Sequence, residues 1–556
     1  VQSTIARLKP DCPGAAAFFS VFLMRSARSL VSPEEVSRFH LIGGKLLAKV
    51  LSSAIIGIDA CMLEVEVDIT HGLPSFTTVG LPAAAVKESK ERVKSAVKNS
   101  GYAFPEDRIT VNLAPAHIKK TGTGLDLPIA IGILGAMGII PKRAFCDWLF
   151  LGELSLDGRI KPVFGSLSMA IAARNSGYQH IMVPYANRRE ASVMRQISVY
   201  GAENLAQAVG FLCGEAAIEP EETNTVDVLT DIRPPRGDFS EIRGQEHVKR
   251  ALEIAAAGGH NVLMVGPPGA GKTMLAKTMS GILPPMDFGE AIETTKIHSV
   301  AGLLPADQAM IWHRPFRAPH HTISEAGLIG GGTIPRPGEV SLAHNGMLFL
   351  DELPEYRRGA LEVLRQPMED RRVTISRAAF SVTFPASFVL VAAMNPCPCG
   401  YATHPAHPCR CSDTQVHRYR SKISGPLADR IDIHVDVPPV SYADLTNPIP
   451  MESSRAISER VAAARKRQIA RLKQSGAYSN SQMNGRAISA YCKLSSSCGR
   501  LMENAAKKYR LSARAYYRIL KIARTIADLS GETALGTDHI AEAVQYRSHE
   551  HLQPLN

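Results

Sequence analysis

Eight residues constrain this chain more than any others: Gly266-Pro267-Pro268-Gly269-Ala270-Gly271-Lys272-Thr273. They follow the apolar run Asn261 to Val265 and open a helical pattern beginning near Met274. Glycines there let backbone N–H groups curl around phosphates at a helix N-terminus, which already favours anions. Lys272 is placed to reach the β and γ phosphates of a nucleotide, and the Thr273 hydroxyl to ligate Mg²⁺. Such a loop works only between a strand and a helix, so the chain has to build an α/β core with a parallel sheet.

The other half of a hydrolytic site is expected on a neighbouring strand that ends in acid, and Met347-Leu348-Phe349-Leu350-Asp351-Glu352 has that form. Asp351 is suited to hold Mg²⁺ through water and Glu352 to polarise the attacking water. A third apolar run, Phe388 to Met394, ends at Asn395, where a polar side chain can sense the γ phosphate. An apolar strand followed by Asp-Glu is weak by itself. At a suitable distance after a phosphate loop it implies turnover as well as binding.

With 556 residues the chain has room for two or three globular units. Residues 1–45 are irregular and read as an N-terminal extension, disordered or upstream of the true start. Residues 46–213 mix α and β, with strands at Ala60 to Ile69 and Arg108 to Leu113, a turn at Gly72 to Pro74, and helices at Ala83 to Ser100 and Leu127 to Ile139. Residues 214–238, rich in Glu, Pro, Thr and Asp, read as a linker. Residues 239–440 form the nucleotide-binding core, and 441–556 carry only helical periodicities, such as Ser454 to Lys473 and Ala513 to Leu529.

Charge is uneven. From Ser441 to Asn556 there are 18 Lys and Arg against 9 Asp and Glu, a net +9, which leaves only +2 of the total +11 for the first 440 residues. A polyanion-binding face and a solvated helical face both fit that excess. No segment approaches the roughly 18 continuous apolar residues a membrane span needs, and Ala15 to Met24, which resembles a signal-peptide core only in length, lacks a clean cleavage site, so a cytoplasmic protein with no membrane association is expected. Ten cysteines in a chain of this size are no disulfide framework. Four of them, Cys397, Cys399, Cys409 and Cys411, crowd together with His404 and His407. They can close a tetrahedral, structural Zn²⁺ site, although one residue between paired cysteines is tighter than usual; a reduced or redox-labile cluster is the alternative.

Several longer segments carry a family resemblance. GPPGAGKT, RPFRAPHHTISEAGLIGGG (Arg314 to Gly332), PRPGEVSLAHNGMLFLDELPE (Pro335 to Glu355) and SGPLADRIDIHV (Ser424 to Val435) resemble the magnesium-chelatase-like AAA+ proteins of the YifB/ComM type. So do GLPSFTTVGLPAAAVKESKERVKSAVKNSGY (Gly72 to Tyr102) and LSARAYYRILKIARTIADL (Leu511 to Leu529), and the likeness runs from about Leu46 to the end. It implies an ATP- and Mg²⁺-dependent homo-hexameric motor on single-stranded or junction DNA, with branch migration during integration of transforming DNA in the ComM-type members. By the same resemblance Arg430 is the cation inserted into a neighbour's site, Arg514 is the second sensor arginine of the lid, and Arg377 is the tip of a pore hairpin that grips phosphates, with Arg371 and Arg372 as nearby alternatives.

The resemblance also implies a Lon-protease-like N-terminal domain, of the ribosomal S5 domain 2-like α+β type, and this raises two rival activities. Proteolytic domains of that type use a serine in a Gly-Pro-Ser-Ala-Gly turn. Here the turn reads Lys120-Thr121-Gly122-Thr123-Gly124, with no serine and with Thr123 one position early. A metal-chelatase motor subunit is the other rival, and the expectation is that such motors lack this N-terminal domain.

Overall fold

The computed structural model describes residues 46–118, 120, 124–222, 237–305, 308–332, 335–377, 380–402, 404, 407–446 and 451–547. The expected N-terminal extension, most of the expected linker and Thr123 lie outside them.

The alternating run near residue 60 forms the strand Asp59–Thr70, which pairs antiparallel with Leu46–Ile56 and with Arg108–Ala114. These belong to a mixed seven-stranded sheet in the order Ser75–Val79, Arg108–Ala114, Asp59–Thr70, Leu46–Ile56, Trp148–Phe150, His180–Pro184 and Ser198–Ala202. Period-two alternation puts Leu63, Val65, Val67 and Ile69 into one face. The helix Asp126–Ala136 covers them and is buried on every side, which is why its sequence has no polar stripe. Its first residue, Asp126, is held by the Arg92 guanidinium at 2.8 Å. Burial nevertheless lifts the carboxyl to about 6, against the opposing pull of Arg92. The first residues of the expected linker stay with this unit: Pro220 bridges to Tyr200, and Glu221 pairs with Arg188 at 2.9 Å.

The core sheet has five parallel strands in the order Phe316–Arg317, Met347–Leu350, Val389–Met394, Val262–Val265 and Ile433–Asp436. Val262–Val265 and Met347–Leu350 are buried throughout, as strands covered on both faces must be, and this accounts for their unbroken apolar sequence. The C-terminal part is helical as its periodicity implies, with Ser454–Leu472 and Ala513–Ser530 packed on the helix Glu246–Gly258.

Part of the basic excess of that region serves internal ends. Arg471 and Arg524 bind Asp528, Arg518 binds Asp432, Arg460 reaches Glu253 at 2.7 Å, and Arg465 donates to the carbonyls of Ala256 and Ala257. A +9 region therefore does not translate into a +9 surface.

The N-terminal sheet and the core meet along the helix Phe288–Ala301, which a capping box at Asp287 and Glu290 starts. Ser299 accepts the backbone N–H of Gly165 at 2.9 Å and bonds the buried Glu190, while Lys296 pairs with Asp59. An apolar seam of Leu167, Met194, Met286, Ala291 and Ile311 closes beside them. No described helix is long and apolar enough to cross a membrane.

Candidate nucleotide site

The phosphate loop leaves the Val262–Val265 strand at the carboxyl edge of the sheet, where open parallel sheets bind ligands. Gly266 is required by close approach, since a Cβ there would lie 2.2 Å from the carbonyl oxygen of Val437. Gly271 stands at φ +84° and starts the helix Lys272–Met279, two residues earlier than the apolar pattern suggests, because the lysine and threonine are themselves the first helical turn. Pro267, Pro268, Gly269 and Ala270 make the rest of the curl. From outside it, Gln245 donates to the carbonyls of Ala270 at 3.0 Å and Pro438 at 2.7 Å.

Lys272 Nζ donates to the carbonyls of Gly266 (2.7 Å) and Pro267 (2.9 Å) and to Asn395 Oδ1 (3.1 Å). Burial lowers its affinity for the proton, while Asp351 and Glu352 act the other way. Thr273 Oγ1 donates to Asp351 Oδ2 at 2.7 Å. A hydroxyl and a carboxylate touching at the head of a helix are the oxygen donors a hard cation such as Mg²⁺ takes, so these residues fit that ion. Asp351, Glu352 and Asn395 all stand at the carboxyl ends of adjacent strands, so the sheet brings together parts more than seventy residues apart.

Glu352 has a left-handed backbone, φ +51°, and its Oε2 lies 3.3 Å from His321 Nδ1. His321 belongs to the segment Arg314 to Gly332, which sequence reasoning used only as a family signature. Its contact with the expected water-activating carboxylate is visible only in three dimensions.

Arg430 and Arg514 do not join this group. Asn261, which precedes the phosphate-loop strand, donates its side-chain amide to the Arg430 carbonyl at 3.2 Å, which places Arg430 at the amino edge of the sheet. There its guanidinium meets Glu369 at 2.7 Å, and the same carboxylate oxygen lies 3.9 Å from Arg514 at the start of the helix Ala513–Ser530. The two arginines thus share one acidic partner, which nothing in the sequence singled out. Arg430 is buried and Arg514 largely exposed. Behind them a cavity of about 510 Å³ opens between lid and sheet, lined by Asn261, Arg371, Asp432, Arg465, Arg514 and Lys521.

The expected hairpin is present. Arg372–Arg377 pairs antiparallel with Phe380–Pro385, and Arg377 faces Phe380 at the turn. Arg372 lies at the opposite end, paired with Pro385, and Arg371 turns back toward the cavity. The three arginines therefore occupy separate places, and only Arg377 is at the tip.

Cys397, Cys399, Cys409 and Cys411 come together, with one sulfur of each within 4.8 Å of the others. His404 and His407 instead meet the Tyr401 ring edge-on and lie tilted against each other, their own ring centres 4.6 Å apart. Soft sulfur donors in a group of four suit Zn²⁺.

Comparison with known proteins agrees with this arrangement. Residues 238–445 match the family described as magnesium chelatase, subunit ChlI; residues 451–547 match its C-terminal family; and residues 65–187 match the family described as subunit ChlI of Mg-chelatase. That last match removes the N-terminal unit as an argument against a chelatase motor, because a family of that description extends to it. The chain is 44% identical to competence protein ComM of Haemophilus influenzae, over 90% of this chain and 97% of that protein. It is 42% identical to protein YifB of Escherichia coli K12, over 92% and 99%. A shorter match, 30% identical over 29% of this chain and 38% of the relative, is to the Holliday junction branch migration complex subunit RuvB of Saccharopolyspora erythraea. With a phosphate loop, an acidic strand end and near-full-length likeness to both named proteins, the chain belongs to the YifB/ComM-type magnesium-chelatase-like AAA+ family.

Proposed function

We propose that this AAA+ ATPase works as a homo-hexameric ring on DNA, driving branch migration during recombination or the integration of incoming DNA. The observation that carries the ring is the separation of the two halves of the site. Lys272, Thr273, Asp351, Glu352 and Asn395 gather at the carboxyl edge of the core sheet, while Arg430 and Arg514 stand at the amino edge. A subunit whose transition-state cations face away from its own phosphate loop needs a neighbour to complete turnover.

Within one site the roles follow from chemistry. Lys272 and the loop amides bind phosphate oxygens, Thr273 and Asp351 hold Mg²⁺, and Asn395 orients the water that Glu352 deprotonates. For Glu352 to act it has to leave His321, so the 3.3 Å pair describes a resting arrangement. Arg377 at the hairpin tip supplies the contact to the phosphate backbone.

DNA is favoured over the rivals by the likeness to ComM and to a branch-migration subunit. The test is ATP turnover by wild type and Glu352→Gln with single-stranded, duplex and four-way-junction DNA. Junction DNA is expected to stimulate wild type most, with an effect that falls steeply as salt rises. Equal stimulation by duplex and junction removes branch migration, and no DNA binding at low salt removes the motor on DNA. Metal insertion into a porphyrin with chelatase partner subunits, in the same preparation, establishes the chelatase reading instead.

A further inference from the structure

The cysteine cluster abuts the nucleotide site. One residue, Pro396, separates Asn395, which holds Lys272, from Cys397, whose side chain is fully buried. The turn between the first two cysteines and Tyr401 passes through Gly400 at φ +87°, where a Cβ would lie 2.5 Å from Pro268 Cδ of the phosphate loop. The loop itself is tied to the same strand end, Gly266 N–H donating to the Met394 carbonyl at 3.2 Å. On the far side, Arg420 Nε donates to the Pro396 carbonyl at 3.2 Å. Whatever fixes residues 396–400 therefore fixes one shoulder of the phosphate loop and the Asn395 contact to Lys272.

Sulfur geometry shows what can fix them. Cys397 Sγ lies 3.3 Å from Cys399 Sγ and 3.6 Å from Cys409 Sγ, and Cys399 and Cys409 are 3.6 Å apart. A disulfide needs about 2.05 Å, so no pair is bonded. Four sulfurs about 2.3 Å from a central Zn²⁺ form a tetrahedron with edges of roughly 3.8 Å, close to what is seen. Backbone amides already point at the sulfurs, as in a preformed thiolate site: Cys411 N–H donates to Cys409 at 3.5 Å, and the amides of Tyr401 and Arg410 donate to Cys399. The two histidines are engaged with Tyr401, which leaves an all-cysteine ligand set.

We propose that Cys397, Cys399, Cys409 and Cys411 bind one Zn²⁺ and that this zinc knuckle is a positioning element for the nucleotide site, bracing Pro268 and Asn395. The role rests on the assignment of Gly266 to Thr273 as the phosphate loop, and its metal content can be measured without any turnover. Binding needs no redox step: four thiols release their protons as the metal enters, and the thiolates remain as ligands.

The test uses the full chain. Zinc content is measured after purification, Co²⁺ is exchanged in, and the affinity for a fluorescent ADP analogue is compared before stripping, after stripping with a thiol-reactive reagent and chelator, and after thiol release and readdition of Zn²⁺. One zinc per chain, a tetrahedral tetrathiolate Co²⁺ spectrum and a reversible loss of ADP affinity on the order of tenfold are expected. Cys409→Ser should lose the metal and the affinity together, and Cys411→His should keep both. If a variant fails to fold, the stripping cycle on the wild-type chain decides. Absence of stoichiometric zinc or of the Co²⁺ spectrum overturns the site. Zinc that can be removed with ADP affinity unchanged overturns the positioning role. Lys272→Ala separates this from the nucleotide-site assignment, because it should lose ADP and keep zinc; retained ADP affinity there means that the phosphate loop is misassigned.

Discussion

The two edges of the core sheet differ in how their residues are held. At the carboxyl edge, polar groups touch one another across neighbouring strands, and each of the contacts Lys272–Asn395, Thr273–Asp351 and Glu352–His321 lies between 2.7 and 3.3 Å. At the amino edge, buried charged groups are braced by ion pairs: Arg430 by Glu369, and Asp432 by Arg518, His260 and the Asn261 amide. The first edge contains short-range exchangeable contacts, which a nucleotide can replace. The second is a braced platform in which Arg430 is buried against Glu369 and Arg514 alone stands largely exposed.

Breaking that division at the arginine should have the largest effect. Arg430→Ala is expected to lower turnover by about 10³-fold or more, as loss of a transition-state arginine does. Mixing it with Lys272→Ala, inactive alone, should restore partial turnover, since an intact loop then faces an intact arginine; no recovery in the mixture, measured by phosphate release, puts Arg430 outside the neighbour's site. Glu352→Gln is next, with turnover down by about 10² to 10⁴-fold and nucleotide still bound, as for removal of a general base. Loss of binding as well as turnover would assign Glu352 to the phosphate cradle.

The platform should fail as a matter of stability. Asp432 is buried, and although burial opposes ionisation, Arg518 and His260 hold its carboxyl well below the usual range. Asp432→Ala strands Arg518 and should cost about 3 kcal/mol in denaturant unfolding. A change under about 0.5 kcal/mol contradicts the picture of a braced edge. Elsewhere in the core, His298 bonds the Leu342 carbonyl at 3.1 Å, and burial lowers its ring to about 4 from the usual 6.5 or so. The folded state thus resists a proton that the unfolded chain accepts. Stability is complete above about pH 6.5 and declines toward pH 4 by roughly 1.4 kcal/mol per unit. Wild type should lose about 2 kcal/mol more than His298→Asn between pH 7 and 5; parallel curves would show that His298 does not titrate with unfolding. The smallest effect belongs to the exchangeable edge. His321→Ala frees Glu352 from a partly exposed pair worth about 1 kcal/mol at most, so basal turnover should rise by no more than about fivefold. A fall would make His321 part of the catalytic machinery.

Residue type and local pattern alone made the carboxyl edge legible. Asp351, Glu352 and Asn395 follow the ends of apolar strands, Lys272 and Thr273 follow another through the glycine-rich loop, and a parallel sheet has one edge at which strand ends can meet. Period-two and period-3.6 patterns likewise located the strands near residues 60 and 110 and the helices at Ser454–Leu472 and Ala513–Ser530. The cysteine spacing was legible as a candidate metal ligand set for the same local reason.

Other features depended on contacts between distant segments, which no local pattern encodes. Glu369 is an ordinary helix glutamate until the fold sets it against Arg430 and Arg514. His321 is one of eighteen histidines until it meets Glu352. The C-terminal basic excess reads as one uniform charge count until Asp528, Asp432 and Glu253 are seen to engage part of it. Sequence by itself determined that the chain has a nucleotide-binding parallel sheet, because the strand, loop and helix must be contiguous. Tertiary structure alone decided which way each half of the site faces and that the cysteine knuckle abuts the phosphate loop at Pro268, because only folding places Gly400 and Pro268, 132 residues apart, in contact.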